Sequence, residues 1–221
     1  MNRRLLVISI SVVSIIVFVV AAYLMRTASE PMPQAKQAEV GAVAPDAATL
    51  VRFHSPVMGR IEAPVTIVEF FDPSCEGCRA FYPYVKQILS KYPNDVRVVM
   101  RYVLFHKGSE ETVRMLEAAR RQDLFEPVLE AILEAQPEWH DDPAVTAAWR
   151  AAVKAGLDEK RARAEMHDAA ITSLIKADEA DVTTVGIKGT PTFFVNGIRL
   201  TRLSPQDLTG AVERALQSGG K

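Results

Sequence analysis

Apolar and polar positions follow three different rhythms along the chain. From Leu5 to Met25 the residues are apolar, interrupted only by Ser9, Ser11 and Ser14. A run of about 20 such residues is long enough to cross a bilayer as a helix. The second rhythm is the short, β-rich apolar run. Val65-Thr66-Ile67-Val68-Glu69-Phe70-Phe71 and Val96-Arg97-Val98-Val99-Met100-Arg101-Tyr102-Val103 predict two buried strands. Thr192-Phe193-Phe194-Val195 and Ile198-Arg199-Leu200 flank Asn196-Gly197, which predicts a hairpin. The third rhythm is apolar spacing of three to four, which predicts helices. It runs through Arg79 to Leu89, through Thr112 to Ala119, through Leu124 to Leu133, and through Leu208 to Leu216 behind a Ser204 cap.

These elements order the chain. Residues 1–26 predict a transmembrane anchor, with a cleaved signal peptide as the alternative. Residues 27–48, with Pro31, Pro33 and Pro45, read as a flexible linker. Residues 49–218 form one α/β domain. A strand, a helix and a second strand of these lengths make a parallel βαβ pair, and a helical block at about 109–182 separates that pair from the hairpin. Leu50-Val51-Arg52-Phe53 reads as a short first strand, Ser55 to Gly59 as a turn, and Asp142-Pro143 as the start of a helix over Val145 to Ala155. Trp139 and Trp149 read as core of the helical block.

Charge narrows the partners. Arg3 and Arg4 precede the apolar run and only Arg26 follows it closely, which favours a cytoplasmic N-terminus and an exported body on the periplasmic side of the inner membrane. A formal net charge of -1 does not favour nucleic acid as a partner.

The chemistry lies in Cys75-Glu76-Gly77-Cys78, which holds the only two cysteines of the chain, between the first confident strand and its helix. A cysteine at a helix N-terminus meets free N–H groups that stabilise its thiolate. A low-pKa thiolate beside a second thiol is the minimum apparatus for disulfide exchange. Two cysteines are too few for a disulfide scaffold, and closing so small a loop stabilises little. No histidine has ligand spacing with the pair, so no metal site and no cofactor is expected. Two thiolates alone suit monovalent copper, which keeps a non-enzymatic copper-transfer module as the alternative.

The ordered set of strand, Cys-x-x-Cys helix, strand, helical insert, Thr190-Pro191, hairpin and helix resembles the thioredoxin superfamily, specifically the DsbA-like thiol–disulfide oxidoreductases. The resemblance implies a thioredoxin-like fold with an inserted all-helical subdomain. It makes Cys75 the exposed nucleophile, Cys78 the buried resolving cysteine and Pro191 a cis-proline. With Thr190, Pro191 would offer backbone to a substrate chain. Glu69, six residues before Cys75, falls where relatives keep a buried proton-relay acid, although a surface carboxylate is the plain alternative. Arg101 falls near the position of a basic partner for that acid, with an exposed strand charge as the alternative, and Pro83 matches a helix-kinking proline. His106 reads as an ordinary loop histidine. Glu76 stands where strongly oxidising relatives carry histidine, and an acid there is expected to push the Cys75 thiol up. Oxidase and reductase or isomerase directions both stay open. The implied partners are exported proteins with thiols or disulfides, and a membrane redox partner.

Overall fold

The computed structural model describes residues 46–218. The predicted anchor and most of the linker lie outside them. Among the described residues, no helix is long and apolar enough to cross a membrane.

A five-stranded mixed sheet forms the centre, in the order β1-β3-β2-β4-β5. Strands β2 (Val65–Phe71) and β3 (Val96–Tyr102) pair in parallel, joined by helix α2 (Glu76–Lys91) as the βαβ spacing predicts. Strand β4 (Thr192–Val195) pairs antiparallel with β2 and turns through Asn196-Gly197 into β5 (Ile198–Arg199). Both turn residues have positive φ, at 46° and 82°, the conformation this dipeptide tolerates best.

The N-terminal edge departs from expectation. Leu50 closes a helical turn, α1 (Ala47–Leu50), and the first strand is β1 (Val57–Gly59), where a turn was expected. Leu50 is buried against Val68, Phe70 and Val99, and β1 pairs antiparallel with β3. Three residues carry too little periodicity to announce a strand; the pairing edge of β3 creates it.

Between β3 and β4 lie α3 (Ser109–Arg120), α4 (Phe125–Glu134), a 3-10 turn (Gln136–Glu138), α5 (Thr146–Lys154), α6 (Glu159–Glu165) and α7 (Ala169–Val185). Helix α5 starts later than the Asp142-Pro143 signal suggests. Val145 sits left-handed at its N-cap, and Asp142 accepts instead from the N–H groups of Ala144 and Thr146. Trp139 and Trp149 are buried among these helices, as expected. Helix α8 (Pro205–Ser218) closes the chain, capped by Ser204, whose hydroxyl accepts from the Asp207 N–H.

Strand alternation gives the sheet two faces with different cores. Ile67, Phe71, Val98, Met100, Tyr102, Phe193 and Val195 face α2, α8 and the bulk of the helical insert. Val68, Phe70, Val99, Val103 and Phe194 face Leu50 of α1 and Val182 of α7. The parallel register sets Glu69 beside Met100 and Phe70 beside Arg101. Glu69 and Arg101 therefore point to opposite faces.

Candidate active site

Strand β2 ends at Phe71, and the chain turns through Asp72-Pro73-Ser74 to put Cys75 at the N-cap of α2. Residues Cys78, Tyr82, Val85 and Ile88 form the buried stripe of that helix. Cys78 thus points inward while Cys75 stays at the helix tip. Cys75 keeps 9% of its surface exposed, against 0% for Cys78, so the nucleophile expected to be exposed is nearly covered. Both are free thiols. Pro83 lies inside α2 and cannot donate to the carbonyl of Arg79.

The two thiols are electrostatically unequal. The Cys75 thiol is lowered to about 5. The largest cause is its hydrogen bond with the Cys78 thiol; burial opposes it, and Thr190 and the N–H groups of Cys78 and Gly77 add to the lowering. As a thiol, Cys75 donates to the Thr190 carbonyl at 3.2 Å. The Thr190 hydroxyl is buried without a partner among the described residues, free to donate once the thiolate forms. Cys78 is pushed well above its ordinary value, first by burial, then by its bond to Cys75 and the field of Glu69. The acidic Glu76, expected to raise Cys75, does not decide the matter. Its side chain is 67% exposed, and solvent screens it while the hydrogen bonds at the helix tip act directly.

The Thr190–Pro191 peptide is cis. Gly77 makes room for it: a Cβ there would lie 3.1 Å from Pro191 Cδ and 3.5 Å from Cys75 Sγ. Glu69, Cys75, Cys78, Thr190 and Pro191 are thus brought to one end of β2, α2 and β4.

Glu69 is 1% exposed, so the surface reading is wrong. Its Oε1 has no hydrogen-bond partner among the described residues, and burial, with the field of Cys75, raises its carboxyl to about 8. Arg101 is not its partner, nor is it exposed. It lies on the other face at 0% exposure, bonded to Asp178 at 2.8 Å, to Asp181 at 2.5 Å and to the Leu50 carbonyl at 2.9 Å. Position along β3 suggested proximity; the one-residue offset in register reverses the face.

Two further residues hold the cysteine turn. The Asp72 carboxylate, fully buried, accepts from the N–H of Ser74 (2.9 Å) and Phe105 (2.8 Å), from Ser109 Oγ (2.6 Å) and from His106 Nδ1 (2.8 Å). Its own N–H points at Cys78 Sγ, 3.5 Å away. His106, read as an ordinary loop residue, is tied to the cysteine turn through this carboxylate. Gln136, from the insert, donates to the carbonyls of Pro73 (2.7 Å) and Cys75 (3.1 Å) and accepts from Arg79 Nε (2.9 Å). The Asp-Pro-Ser run is a turn signal that could have pointed to Asp72. Nothing local marks Gln136. Among the described residues, no group of three or more His, Cys, Asp and Glu side chains is arranged to hold a metal ion.

This architecture and this pair define a class. A thioredoxin family model matches residues 53–214, and the chain belongs to the thioredoxin family. It is 30% identical to a thioredoxin-like oxidoreductase from Silicibacter pomeroyi DSS-3, with a TM-score of 0.69 over 78% of this chain and 98% of that one. Alpha-DsbA1 of Wolbachia pipientis, at 15% identity, shares the fold, with a TM-score of 0.67 over 77% of this chain and 94% of that one. The Na(+)/H(+) antiporter NhaA of Herminiimonas arsenicoxydans is 28% identical over 144 residues, which are 65% of this chain and 22% of that protein. The chain therefore spans only a minor part of the length of such relatives.

Proposed function

We propose that this protein is tethered in the inner membrane by residues 1–26, carries residues 49–218 on the periplasmic side, and oxidises thiols of exported proteins. The observation that carries the reaction is the inequality of the two thiols. A Cys75 thiol near 5 is a good leaving group from a disulfide, and a reduced form stabilised as thiolate makes the disulfide the stronger oxidant.

A substrate thiolate attacks Cys75 Sγ of the Cys75–Cys78 disulfide, and the electron pair of the S–S bond leaves on Cys78. A second substrate thiolate then attacks the substrate sulfur of the mixed disulfide and releases the Cys75 thiolate. Two substrate thiols become one disulfide and the pair becomes dithiol. A membrane partner must reoxidise it. In the reverse direction Cys78 resolves the mixed disulfide after losing its proton to Glu69, whose carboxyl near 8 exchanges protons at neutral pH. The backbone beside Thr190 and Pro191 pairs with the substrate chain as an added strand.

Two measurements test this. A Cys78→Ser variant should accumulate mixed disulfides through Cys75 with exported proteins, and a Cys75→Ser variant should accumulate none. The equilibrium potential of the pair in a glutathione series should lie well above the thioredoxin value of about -270 mV. A value at or below it reverses the direction. A pair that traps no protein and never equilibrates with glutathione would leave copper transfer as the reading.

A further inference from the structure

Gln136 belongs to the helical insert, yet its side chain bonds only to the segment that carries the cysteine pair. It opens the 3-10 turn Gln136–Glu138 and is 0% exposed. Nε2 donates to the Pro73 carbonyl at 2.7 Å and to the Cys75 carbonyl at 3.1 Å, while Oε1 accepts from Arg79 Nε at 2.9 Å. These partners fix which way the amide faces, because a carbonyl can only accept and a guanidinium can only donate. The Gln136 carbonyl in turn accepts from the His140 N–H at 2.9 Å, and His140 Nε2 comes within 3.9 Å of Glu76 Oε1. One turn of the insert therefore grips Cys75 from inside and reaches its neighbour from outside.

The grip decides where the Cys75 sulfur lies. The Cys75 N–H closes the turn onto the Asp72 carbonyl at 3.0 Å, and the Cys75 carbonyl accepts the first N–H of the helix ladder, from Arg79, at 3.2 Å. Gln136 adds a second donor to that carbonyl and ties it to the carbonyl of Pro73, two residues earlier. With its N–H and carbonyl both held, Cys75 has a fixed Cα–Cβ direction, and its Sγ reaches the Thr190 carbonyl at 3.2 Å. The low value of this thiol comes from short-range bonds, first with Cys78, working against burial. Such bonds weaken steeply with distance and angle, so a small drift of the turn is felt at the sulfur.

We propose that Gln136 is a positioning residue of the exchange reaction: by holding the Pro73 and Cys75 carbonyls, it keeps Cys75 Sγ where Cys78, Thr190 and the helix N–H groups stabilise its thiolate. The insert thereby sets how strongly the pair oxidises. This rests on the reading of the pair as an exchanger of protein disulfides.

The test uses the full chain and reads two quantities, the Cys75 midpoint by alkylation against pH and the equilibrium of the pair with glutathione. Gln136→Met keeps the side-chain length and removes both donors. Thiolate formation should weaken about tenfold, moving the midpoint from near 5 to about 6. The glutathione equilibrium should shift about tenfold, or about 30 mV, toward the disulfide. Two substitutions of Arg79 give the same test should Gln136→Met fail to fold. In Arg79→Gln a neutral N–H donor falls where Arg79 Nε stands and can still hold Gln136 Oε1; in Arg79→Met no donor remains. The midpoint should stay near the parent's in Arg79→Gln and rise in Arg79→Met. Variants that lose stability in urea but keep the parent midpoint and equilibrium would make Gln136 only a docking contact of the insert, and overturn the inference. Equal shifts in Arg79→Gln and Arg79→Met would assign the effect to the Arg79 charge, and overturn it too. A parent pair that never equilibrates with glutathione overturns the exchange reading itself; a parent that does so, with variants that match it, overturns this inference alone.

Discussion

Glu69 and Arg101 sit on neighbouring parallel strands, one residue out of register, and both are buried to 1% or less. They are treated in opposite ways. Arg101 is surrounded by partners: two aspartates of α7 and the carbonyls of Thr49 and Leu50 in α1. Asp178 also receives His54 Nε2 and the N–H of Tyr102, and Asp181 receives Arg52. Burial pushes the Asp181 carboxyl up, but the hydrogen bonds of Arg52 and Arg101 outweigh it and hold it below its ordinary value. Glu69 has no such company, and burial prevails. A compensated buried charge ties α1 and α7 to the sheet; an uncompensated buried acid holds its proton to higher pH. Burial alone does not separate structure from chemistry here. The neighbours do.

Breaking the compensated side has the largest expected effect. Arg101→Met leaves two buried aspartates without their central cation and should cost about 3–5 kcal/mol in denaturant unfolding. The thiol chemistry of the fraction that remains folded should be unchanged. Loss of exchange without loss of stability would mean the two faces are coupled.

The uncompensated side carries the opposite pH signature. A carboxyl whose native value, about 8, lies above its ordinary 4.5 binds its proton more tightly in the native state. The Glu69 contribution to the stability of the reduced protein is therefore lost as pH rises between those values. Cys75, lowered to about 5 from its ordinary 9, adds stability as pH rises above 5 and opposes that slope. Because Cys75 titrates in both proteins, the Glu69 contribution appears as the difference between them: Glu69→Gln should gain about 2–4 kcal/mol over the parent by pH 8, with little difference at pH 4.5. Asp181 runs the other way: its contribution is present above its ordinary 3.8 and is lost as pH falls below that. Urea melts of parent and variant across this range separate the two. A difference between parent and Glu69→Gln that is flat from pH 5 to 8 would mean Glu69 is compensated after all.

The smallest effect comes from a substitution that touches neither charge. Gly77→Ala puts a methyl group 3.1 Å from Pro191 Cδ, so the contact at the helix tip must open by a few tenths of an ångström. The expected cost is about 1 kcal/mol, with a rise in the Cys75 midpoint seen by alkylation. An unchanged midpoint would mean that the tight approach of Gly77 to Pro191 does not tune the thiol.

What the sequence made legible follows from how local each signal is. The βαβ unit, the cysteine turn, the Asn196-Gly197 hairpin and the Ser204 cap are written in consecutive residues, and each appears in the structure. Glu69 was readable as buried because it interrupts an apolar run. The partners of Arg101 were not, since Asp178 and Asp181 lie 77 and 80 residues further along. Gln136 meets Pro73 and Cys75 from 63 and 61 residues away, and nothing in its own neighbourhood announces that contact. The same holds for β1, a strand that exists because β3 offers it an edge.

The account rests on a Cys75 thiolate that exists at neutral pH because Cys78, Thr190 and two N–H groups stabilise it. Thiolate absorbance near 240 nm, followed through a pH titration of the reduced protein with a Cys75→Ser control, measures that directly. The account predicts a single midpoint near pH 5 that vanishes in the control. A midpoint near 9, the ordinary value of the thiol, would contradict it.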